Sequence, residues 1–229
     1  MTRLDNKVYY TKKRNLKEHE KFMLNLILKK NKNKTNLQVL DLGCGDGLFL
    51  DHLDKLINIE FLMGIDNDKK LIKKANRIKF IGKNKFLCKN FENIKNLNQK
   101  FDIIIASGFL GVFEDTEKII KKTIKLLKKN GNIYIFQRLN SFPIDTKYYT
   151  KLPNNKKWTN PRTLHYYKNF VNLIKKNKPI KIKKWNINFD LPKKNNPFAS
   201  YTIKTNDEKR IMLNLSNIVI EQYFVWSES

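Results

Sequence analysis

The sequence is short of cysteine and has no long apolar run. Its only two cysteines, Cys44 and Cys88, are too few for a disulfide framework and favour a reducing, cytoplasmic setting. No apolar run approaches the roughly 18 residues that a membrane span needs, and residues 1–15 lack the apolar core of a secretory signal. We therefore expect no membrane span. Separately, we expect Cys88 to lie in the core of the protein.

The sequence is also short of arginine. Only six of its 47 basic residues are arginine, although the formal net charge is +26. Lysine and asparagine are in excess, as in the segment KKNKNKTN at 29–36, a bias that an AT-rich genome produces on solvated surfaces. Phosphate-binding surfaces usually use arginine as well, because its planar guanidinium grips a phosphate through two hydrogen bonds. Compositional bias is therefore the favoured explanation of the charge, and affinity for polyanions is the alternative.

The hydrophobic share of 41% over 229 residues predicts one globular α/β domain. Apolar periodicity predicts strands at 37–42, 58–65, 84–88, 101–106 and 132–137, and helices at 15–30, 46–56, 67–80 and 116–129. A loop at 138–161, a helix at 162–176 and strand-like segments at 180–191, 199–205, 210–215 and 218–226 follow. Strands that alternate with helices predict parallel pairing, and the alternating tail predicts antiparallel strands that close the edge of the sheet.

The segment LQVLDLGCGDG at 37–47 is the one around which the chain is organised. An apolar strand ends in Asp41 and is followed by Gly43, Gly45 and Gly47. Glycines let the backbone turn with positive φ and let a ligand approach closely, and the next helix presents its first N–H groups to the same place. Asp46 is expected to cap that helix. A second acid, Asp66, ends the second predicted strand, where such sites hold ribose hydroxyls.

The spacing of these glycines separates two classes of nucleotide ligand. The dinucleotide pattern G-x-G-x-x-G would place its third glycine at Leu48, which disfavours a nicotinamide dehydrogenase. The pattern D-L-G-C-G-D-G instead resembles motif I of the class I S-adenosylmethionine-dependent methyltransferases. The resemblance covers about 37–137 and implies a Rossmann-like, seven-stranded, mostly parallel sheet with helices on both faces and an antiparallel C-terminal hairpin.

The resemblance also implies a set of residues that bind S-adenosylmethionine. Those expected at the methionine part are Asp41, Gly43, Cys44 and Gly45, with Asp66 at the ribose, Asn67, Asn90 and Phe91 at the adenine, and Ser107 after the fourth strand. Asn90 departs from the aspartate that the family usually has there. Taken alone, Asp66 could equally be a helix N-cap.

The acceptor side is less defined. Relatives that act on small molecules often carry Glu-His after the fourth strand, where this chain has Gly111 and Val112. His165 is then the candidate general base, with an exposed helical residue as the alternative. The residues expected to contact the acceptor are Phe109, Tyr148, Tyr149, Trp158 and Arg162. The D/N-P-P-Y/F motif of many nucleic-acid amino methyltransferases is absent, because that place reads Ala-Ser-Gly-Phe.

These observations predict one methyltransferase domain over 1–229, with an N-terminal helical lid at 1–36, a cofactor-binding core at 37–137 and an acceptor side at 138–229. The predicted reaction is methyl transfer to a hydroxyl or amine of a small molecule, with a sugar or sugar nucleotide as the first hypothesis. The alternatives are an RNA methyltransferase and a regulatory protein that binds the cofactor without catalysis. No metal is expected, and the sequence indicates no oligomeric state.

Overall fold

The computed structural model describes residues 15–95, 97–151, 156, 158, 162–193, 199–214 and 218–227. The helices are α1 (Glu18–Asn31), α2 (Leu48–Asp54), α3 (Lys69–Ala75), α4 (Thr116–Lys125) and α5 (Tyr167–Lys175). The strands are β1 (Leu37–Leu42), β2 (Ile59–Asp66), β3 (Lys83–Cys88), β4 (Phe101–Ser107), β5 (Leu127–Asn140), β6 (Thr146–Tyr148), β7 (Arg162–Tyr166), β8 (Ile180–Lys184), β9 (Tyr201–Lys204), β10 (Arg210–Asn214), β11 (Ile218–Ile220) and β12 (Gln222–Ser227).

The main sheet has the strand order β3-β2-β1-β4-β5-β12-β8. Strands β1 to β5 pair in parallel, whereas β12 runs antiparallel to both β5 and β8. A hairpin of β6 and β7 joins the sheet where β7 pairs with the end of β5. The predicted mostly parallel sheet with antiparallel C-terminal pairing is confirmed, and among the described residues the β6–β7 hairpin brings it to nine strands instead of the predicted seven.

Helices cover both faces of this sheet, which explains why the strands read as continuous apolar runs. Consecutive residues of β1 pack into opposite cores. Leu40 lies in the core that holds α4 and α5, and Val39 lies in the core that holds α1, α2 and α3. Both side chains are completely buried. The two cores fix the carboxyl ends of β1, β4 and β5 next to one another, at the edge where ligands bind in such sheets.

Several predicted helices are too long, and the one predicted at 67–80 already ends at Ala75. The helix predicted at 116–129 ends at Lys125, because Leu127 already pairs with Phe101 and β5 runs on through Gly131. In the helix predicted at 162–176, the first five residues form β7 instead. Their backbone groups bond to β6 and β5, so α5 begins only at Tyr167. Consequently His165 lies on a strand.

The tail divides into two parts. Only β12 closes the main sheet, while β9, β10 and β11 form a separate antiparallel three-stranded sheet, so the expectation that the whole tail closes the edge is wrong. The burial patterns give the reason. Strand β12 is buried along nearly its whole length, whereas β9 and β11 expose side chains such as Ile203 and Val219. A strand covered on both faces fits inside the main sheet, and half-exposed strands do not.

Two local expectations are also wrong. Cys88 is exposed, because β3 lies at the edge of the sheet and contributes few buried side chains. The N-cap of α2 is Gly47 rather than Asp46, whose Oδ1 lies 3.5 Å from the backbone nitrogen of Leu48. Among the described residues, no helix is both long and apolar enough to cross a membrane.

Candidate functional site

The glycine turn, residues 43–47, follows β1 directly. Gly43, Gly45 and Gly47 have φ angles of 78°, 57° and 79°, a region that side chains disfavour. The backbone N–H groups of Gly43 and Cys44 both donate to the carbonyl oxygen of Ile65, at 2.8 and 3.2 Å. The turn is thereby held against the end of β2, with the start of α2 behind it.

Asp66 joins the end of β2 to the glycine turn. Its Oδ2 accepts a hydrogen bond of 3.0 Å from the Gly45 N–H, and its Oδ1 accepts one of 2.9 Å from the Asp68 N–H. The N-cap of α3 is Asp68, which accepts hydrogen bonds from Lys70 and Leu71. The alternative role of Asp66 as that helix cap is therefore excluded, and the two features that defined the predicted site are in direct contact.

A cavity of about 840 Å³ opens at the carboxyl ends of β1, β4 and β5. Of the residues predicted to form the site, its wall contains Asp41, Gly43, Cys44, Ser107, Tyr148 and Arg162, whereas Gly45 and Asp66 are not part of the wall. The wall continues over the start of α1, over Trp185 and Phe189 after β8, and over the separate sheet through Met212. One cavity thus brings together residues from distant parts of the chain.

The end of the cavity next to β1 is acidic. Asp41 is only 5% exposed, and burial, together with the nearby carboxyls of Asp66 and Glu20, raises its pKa to about 8. Burial and the carboxyls of Asp41 and Asp66 raise the pKa of the Cys44 thiol, which makes that cysteine a poor nucleophile. Glu20 lies at the start of α1, where its Oε2 accepts a hydrogen bond of 2.7 Å from the Lys17 N–H. A cationic ligand group would relieve the repulsion among these acids.

The glycine turn fits the cofactor that the sequence implies. A Cβ atom on Gly43 would lie 3.0 Å from Cδ2 of Phe109, so a side chain at this position of the cavity wall would crowd that ring. S-adenosylmethionine carries an ammonium and a sulfonium cation, which are complementary to the acidic end of the cavity. It also carries ribose hydroxyls, which donate hydrogen bonds well to a carboxylate such as that of Asp66. The donor and acceptor groups present are therefore of the right kind.

The residues predicted at the adenine lie outside the cavity wall. Asn67 and Asn90 are exposed, and Asn90 Oδ1 accepts a hydrogen bond of 3.1 Å from the Glu92 N–H. Phe91 is only 1% exposed, and the Lys122 ammonium lies 4.6 Å from the centre of its ring. The Phe91 ring is thus a core group, so the prediction that this side chain binds the cofactor is not supported.

The predicted acceptor residues also divide. Phe109 packs edge to face on Phe91 and Phe113, beside the glycine turn and outside the wall. Tyr149 and Trp158 are 49% and 61% exposed and do not belong to the wall. Only the pair formed across β6 and β7, Tyr148 and Arg162, contributes to it.

His165 is not placed as a general base. Its Nδ1 lies 3.0 Å from Asp145 Oδ2, its Nε2 lies 2.9 Å from Thr116 Oγ1, and its side chain is outside the cavity wall. Thr116 in turn donates to the Leu110 carbonyl, so His165 bridges β7 to the start of α4. Both ring nitrogens are already used in this bridge, so the role proposed for His165 as the base is not supported.

Several wall residues were not among the predicted site residues. His19 stacks on Phe136 with ring centres 4.3 Å apart, and both line the cavity. Gln137 and Gln222 also belong to the wall, and their buried Oε1 atoms have no hydrogen-bond partner among the described residues. Only Gln137, just before the predicted loop, lay near a motif. The described residues contain no group of three or more His, Cys, Asp or Glu side chains placed to hold a metal.

Comparison with known proteins gives a consistent picture. A family profile described as a methyltransferase domain matches residues 33–194. A ubiquinone biosynthesis O-methyltransferase of Pelagibacter ubique is 35% identical over 105 residues, 44% of this chain and 41% of the relative. A ribosomal protein L11 methyltransferase of Thermosipho melanesiensis is 30% identical over 119 residues, 47% of this chain and 44% of the relative. The match thus spans less than half the length of these curated relatives.

A solved structure extends the similarity to the whole fold. The crystal structure of an S-adenosylmethionine-dependent methyltransferase from Clostridium acetobutylicum superposes with a TM-score of 0.57 and 15% sequence identity. The superposition covers 98% of this chain and 96% of that one. At this level of identity the similarity concerns the fold alone.

Proposed function

Since the chain belongs to the methyltransferase-domain family and has the class I fold, we propose that it transfers a methyl group from S-adenosylmethionine to a small molecule. The observation that carries the proposal is the hydrogen bond between the Gly45 N–H and Asp66 Oδ2, beside a cavity that contains Asp41 and Gly43. This hydrogen bond links the glycine turn, whose Gly43 lies in the cavity wall, to an acid of the kind that accepts hydrogen bonds from ribose hydroxyls.

Each of these residues has a physical role in the proposed site. S-adenosylmethionine would supply a methyl group bonded to a sulfonium sulfur, which departs as a neutral thioether when the acceptor displaces it at the methyl carbon. Gly43 lets the chain approach closely, and the Asp41 carboxyl accepts hydrogen bonds from the ammonium. Asp66 accepts from the ribose while it stays bonded to Gly45. The wall orients the acceptor and limits the access of water, which supplies most of the rate when no early proton transfer is required.

The start of α1 supports the proposed division of the chain. Wall residues from Lys17 to Met23 lie over the β1 end of the cavity, as expected of a lid formed by the N-terminal part at 1–36. Residues 1–14 of that part lie outside the described residues. The core at 37–137 supplies the glycine turn, and the remainder at 138–229 supplies the opposite wall.

The size of the cavity favours a small acceptor over RNA or a protein. A volume of about 840 Å³ is within the range of roughly 300–1,000 Å³ typical of small-molecule sites. Trp185 offers an aromatic face, and the buried Oε1 atoms of Gln137 and Gln222 require donors such as hydroxyl or amino groups. A sugar or sugar nucleotide has both kinds of group and is our specific hypothesis for the acceptor.

Cofactor binding is tested with Asp66→Ala. Calorimetric titration with S-adenosylhomocysteine should show binding to the wild type, weakened by more than about 1 kcal/mol in the variant, because hydrogen bonds to a partly buried carboxylate are lost. The matched control is Asp51→Ala on α2, whose carboxylate pairs with Lys55 at 2.8 Å. Equal affinity of Asp66→Ala and the wild type would remove Asp66 from the site, provided that circular dichroism shows an intact fold.

The acceptor class is tested with labelled methyl groups. The protein and methyl-labelled S-adenosylmethionine are incubated with separated small-molecule, RNA and protein fractions of a cell extract. We expect label in the small-molecule fraction. Transfer into RNA would instead favour the RNA methyltransferase alternative, for which the net charge of +26 is the supporting observation.

A further inference from the structure

The side chain of Gln137 fills the space next to Gly111 in the cavity wall. Gly111 lies in the helical turn Leu110–Val112 after β4, at the position where relatives that act on small molecules often carry a glutamate. A Cβ atom on Gly111 would lie 2.5 Å from Gln137 Nε2 and 2.9 Å from the carbonyl oxygen of Thr163. Any side chain at residue 111 would therefore displace the Gln137 amide or the backbone of β7. An amide from β5 thus stands where a side chain from the turn would begin.

The Gln137 amide is buried and has an unused acceptor. The residue is 4% exposed, yet its Oε1 has no hydrogen-bond partner among the described residues. Its Nε2 donates one long hydrogen bond, of 3.4 Å, to the carbonyl oxygen of Arg138. A buried acceptor without a partner costs about as much free energy as a lost hydrogen bond, so such groups are uncommon outside functional sites. In the wall of a cavity, this acceptor can receive a hydrogen bond from a ligand.

Gln137 lies at the end of the cavity away from the ribose acid. Strands β2, β1, β4 and β5 lie side by side in that order and carry, near or just after their carboxyl ends, Asp66, Asp41, Gly108 and Gln137. Adjacent strands are about 4.8 Å apart, so roughly 14 Å separate the end of β2 from that of β5. No described atom lies within 4 Å of a Cβ built on Gly108, so the wall is open beside Gln137. A ligand held by the two aspartates therefore leaves the region of Gln137 to a second molecule, the acceptor.

The chemistry of an amide limits the reacting group of that acceptor. The Oε1 atom of a glutamine accepts a hydrogen bond from an N–H or O–H group, but an amide does not take up a proton at neutral pH. The described groups that flank the Gln137 amide are the backbone of Gly111 and the carbonyl oxygens of Arg138 and Thr163. These backbone groups do not take up a proton either.

His19, a histidine in the same wall, lies on the other face of the sheet. It stacks on Phe136, which belongs to the core that holds α1, α2 and α3. Consecutive residues of a strand point to opposite faces, so Gln137 shares its face with Ile135 and Leu139 of the other core. A reacting group at Gln137 therefore has to attack without a protein base beside it.

We infer that the reacting group of the acceptor is an amine, and that Gln137 Oε1 holds it by accepting a hydrogen bond from one of its N–H groups. An ammonium ion loses its surplus proton to water before it binds, and the lone pair of the neutral amine is then ready to attack. An alcohol would instead have to give up its proton during the reaction. The inference rests on the proposed function, because it names the reacting group of the acceptor in the same cavity.

The atoms and electrons of this step balance without a base. The amine nitrogen forms a bond to the methyl carbon while the bond from that carbon to sulfur breaks, and the electron pair of the broken bond stays on the sulfur. The nitrogen gains the positive charge that the sulfur loses, and the methylated ammonium afterwards releases a proton to water. Gln137 is then a specificity-determining residue, since it selects a group that both donates a hydrogen bond and attacks without deprotonation.

The first measurement determines which atom of the acceptor is methylated. The protein and methyl-labelled S-adenosylmethionine are incubated with the small-molecule fraction of a cell extract, and the labelled product is purified. The NMR chemical shift of the labelled methyl carbon distinguishes a methyl group on nitrogen from one on oxygen, sulfur or carbon. We expect the label on nitrogen. A methyl group on any other atom would overturn the inference and leave the proposed function standing.

The second measurement determines whether Gln137 acts on the acceptor, and it uses Gln137→Met. Methionine has a similar length without the unpartnered acceptor, so the Tm of the ligand-free protein should rise by about 2–4 °C. Incorporation of label should fall at least about fivefold, whereas affinity for S-adenosylhomocysteine should be unchanged. The control is Gln99→Met, outside the wall, because Gln99 Nε2 donates to Gln38 Oε1 at 3.3 Å. It should keep full incorporation without a higher Tm.

Two results would contradict the role of Gln137. A Tm of Gln137→Met that does not rise would show that the amide is already used within the free protein. Incorporation equal to that of the wild type would remove Gln137 from the acceptor site. If instead the wild type fails to bind S-adenosylhomocysteine, or if no small molecule becomes labelled, the proposed function itself is contradicted.

Discussion

Among single residues, Asp41 is the one whose chemistry depends most on the fold. Burial and two neighbouring acids raise its pKa to about 8, from a usual value of 3.8. In the folded protein without ligand the carboxyl is therefore protonated at neutral pH. In the unfolded chain it ionises at its usual pKa, so unfolding releases a proton and becomes more favourable as the pH rises from about 4 to 8.

The first prediction follows from this difference in pKa. At pH 8 the free energy of unfolding of Asp41→Asn, whose side chain cannot ionise, should exceed that of the wild type by at least about 1 kcal/mol. The gain should shrink as the pH falls and vanish near pH 4, where Asp41 is protonated in both states. Urea unfolding of the ligand-free protein at pH 4, 6 and 8 measures it. Asp51→Asn is the control and should not show this trend. A gain that grew toward low pH would refute the assignment.

Among the elements, the hairpin of β6 and β7 shows how a wall segment is held in place. Asp145, just before β6, accepts hydrogen bonds from the Tyr166 N–H at 2.6 Å and from His165 at 3.0 Å. Partial burial raises the pKa of Asp145, but these hydrogen bonds outweigh it and hold the pKa below its usual value. His165 then reaches Thr116 at the start of α4. The wall residues of the hairpin are thereby tied to the main core.

The second prediction concerns this bridge. His165→Ala should lower the free energy of unfolding by about 1–3 kcal/mol, because the buried Thr116 hydroxyl and the exposed Asp145 carboxylate lose their hydrogen bonds to the ring. Hydrogen exchange should become faster at the amides of β7 and stay unchanged in β1 and β4. Affinity for S-adenosylhomocysteine should be retained. The control is His52→Ala on α2. Unchanged exchange in β7 would show that strand pairing alone holds the hairpin.

At the scale of the whole molecule, the net charge of +26 acts against the compact state. Lysines are spread over the surface, and several of the described ion pairs are exposed, such as Lys21 with Glu18. Exposed pairs contribute little stability, whereas repulsion among many like charges accumulates. Any attraction of polyanions by the same charge would depend on salt, and this charge is the reason why RNA is kept as the alternative acceptor.

The third prediction is that sodium chloride stabilises the protein. Raising its concentration from about 0.1 to 1 M shortens the screening length from about 10 to 3 Å and weakens the repulsion between lysines. The Tm should rise, and it should rise less in sorbitol of matched osmolality. A lower Tm in salt would mean that the attractive ion pairs outweigh the repulsion. Differential scanning calorimetry makes the measurement.

Much of the fold could be predicted because its signals are local. Apolar runs such as 37–42 and 101–106 mark strands that are covered on both faces, and glycine marks the turn that requires positive φ. Errors arose where a segment has two satisfactory conformations. Leu127 and Thr163 lie in amphipathic stretches, and only pairing with Phe101 or with β6 decides that they become strands.

The sequence alone determined the β1 to β5 framework, the glycine turn and its partner acid, because each depends on residues adjacent in the chain or on a spacing characteristic of the family. Only the tertiary structure decided which side chains share the cavity. It excluded His165, Tyr149 and Trp158 and included His19, Arg138 and Gln222, which come from α1, β5 and β12. The physical reason is that a wall forms where strand ends from distant parts of the chain meet, and burial, charge and pKa there depend on those neighbours.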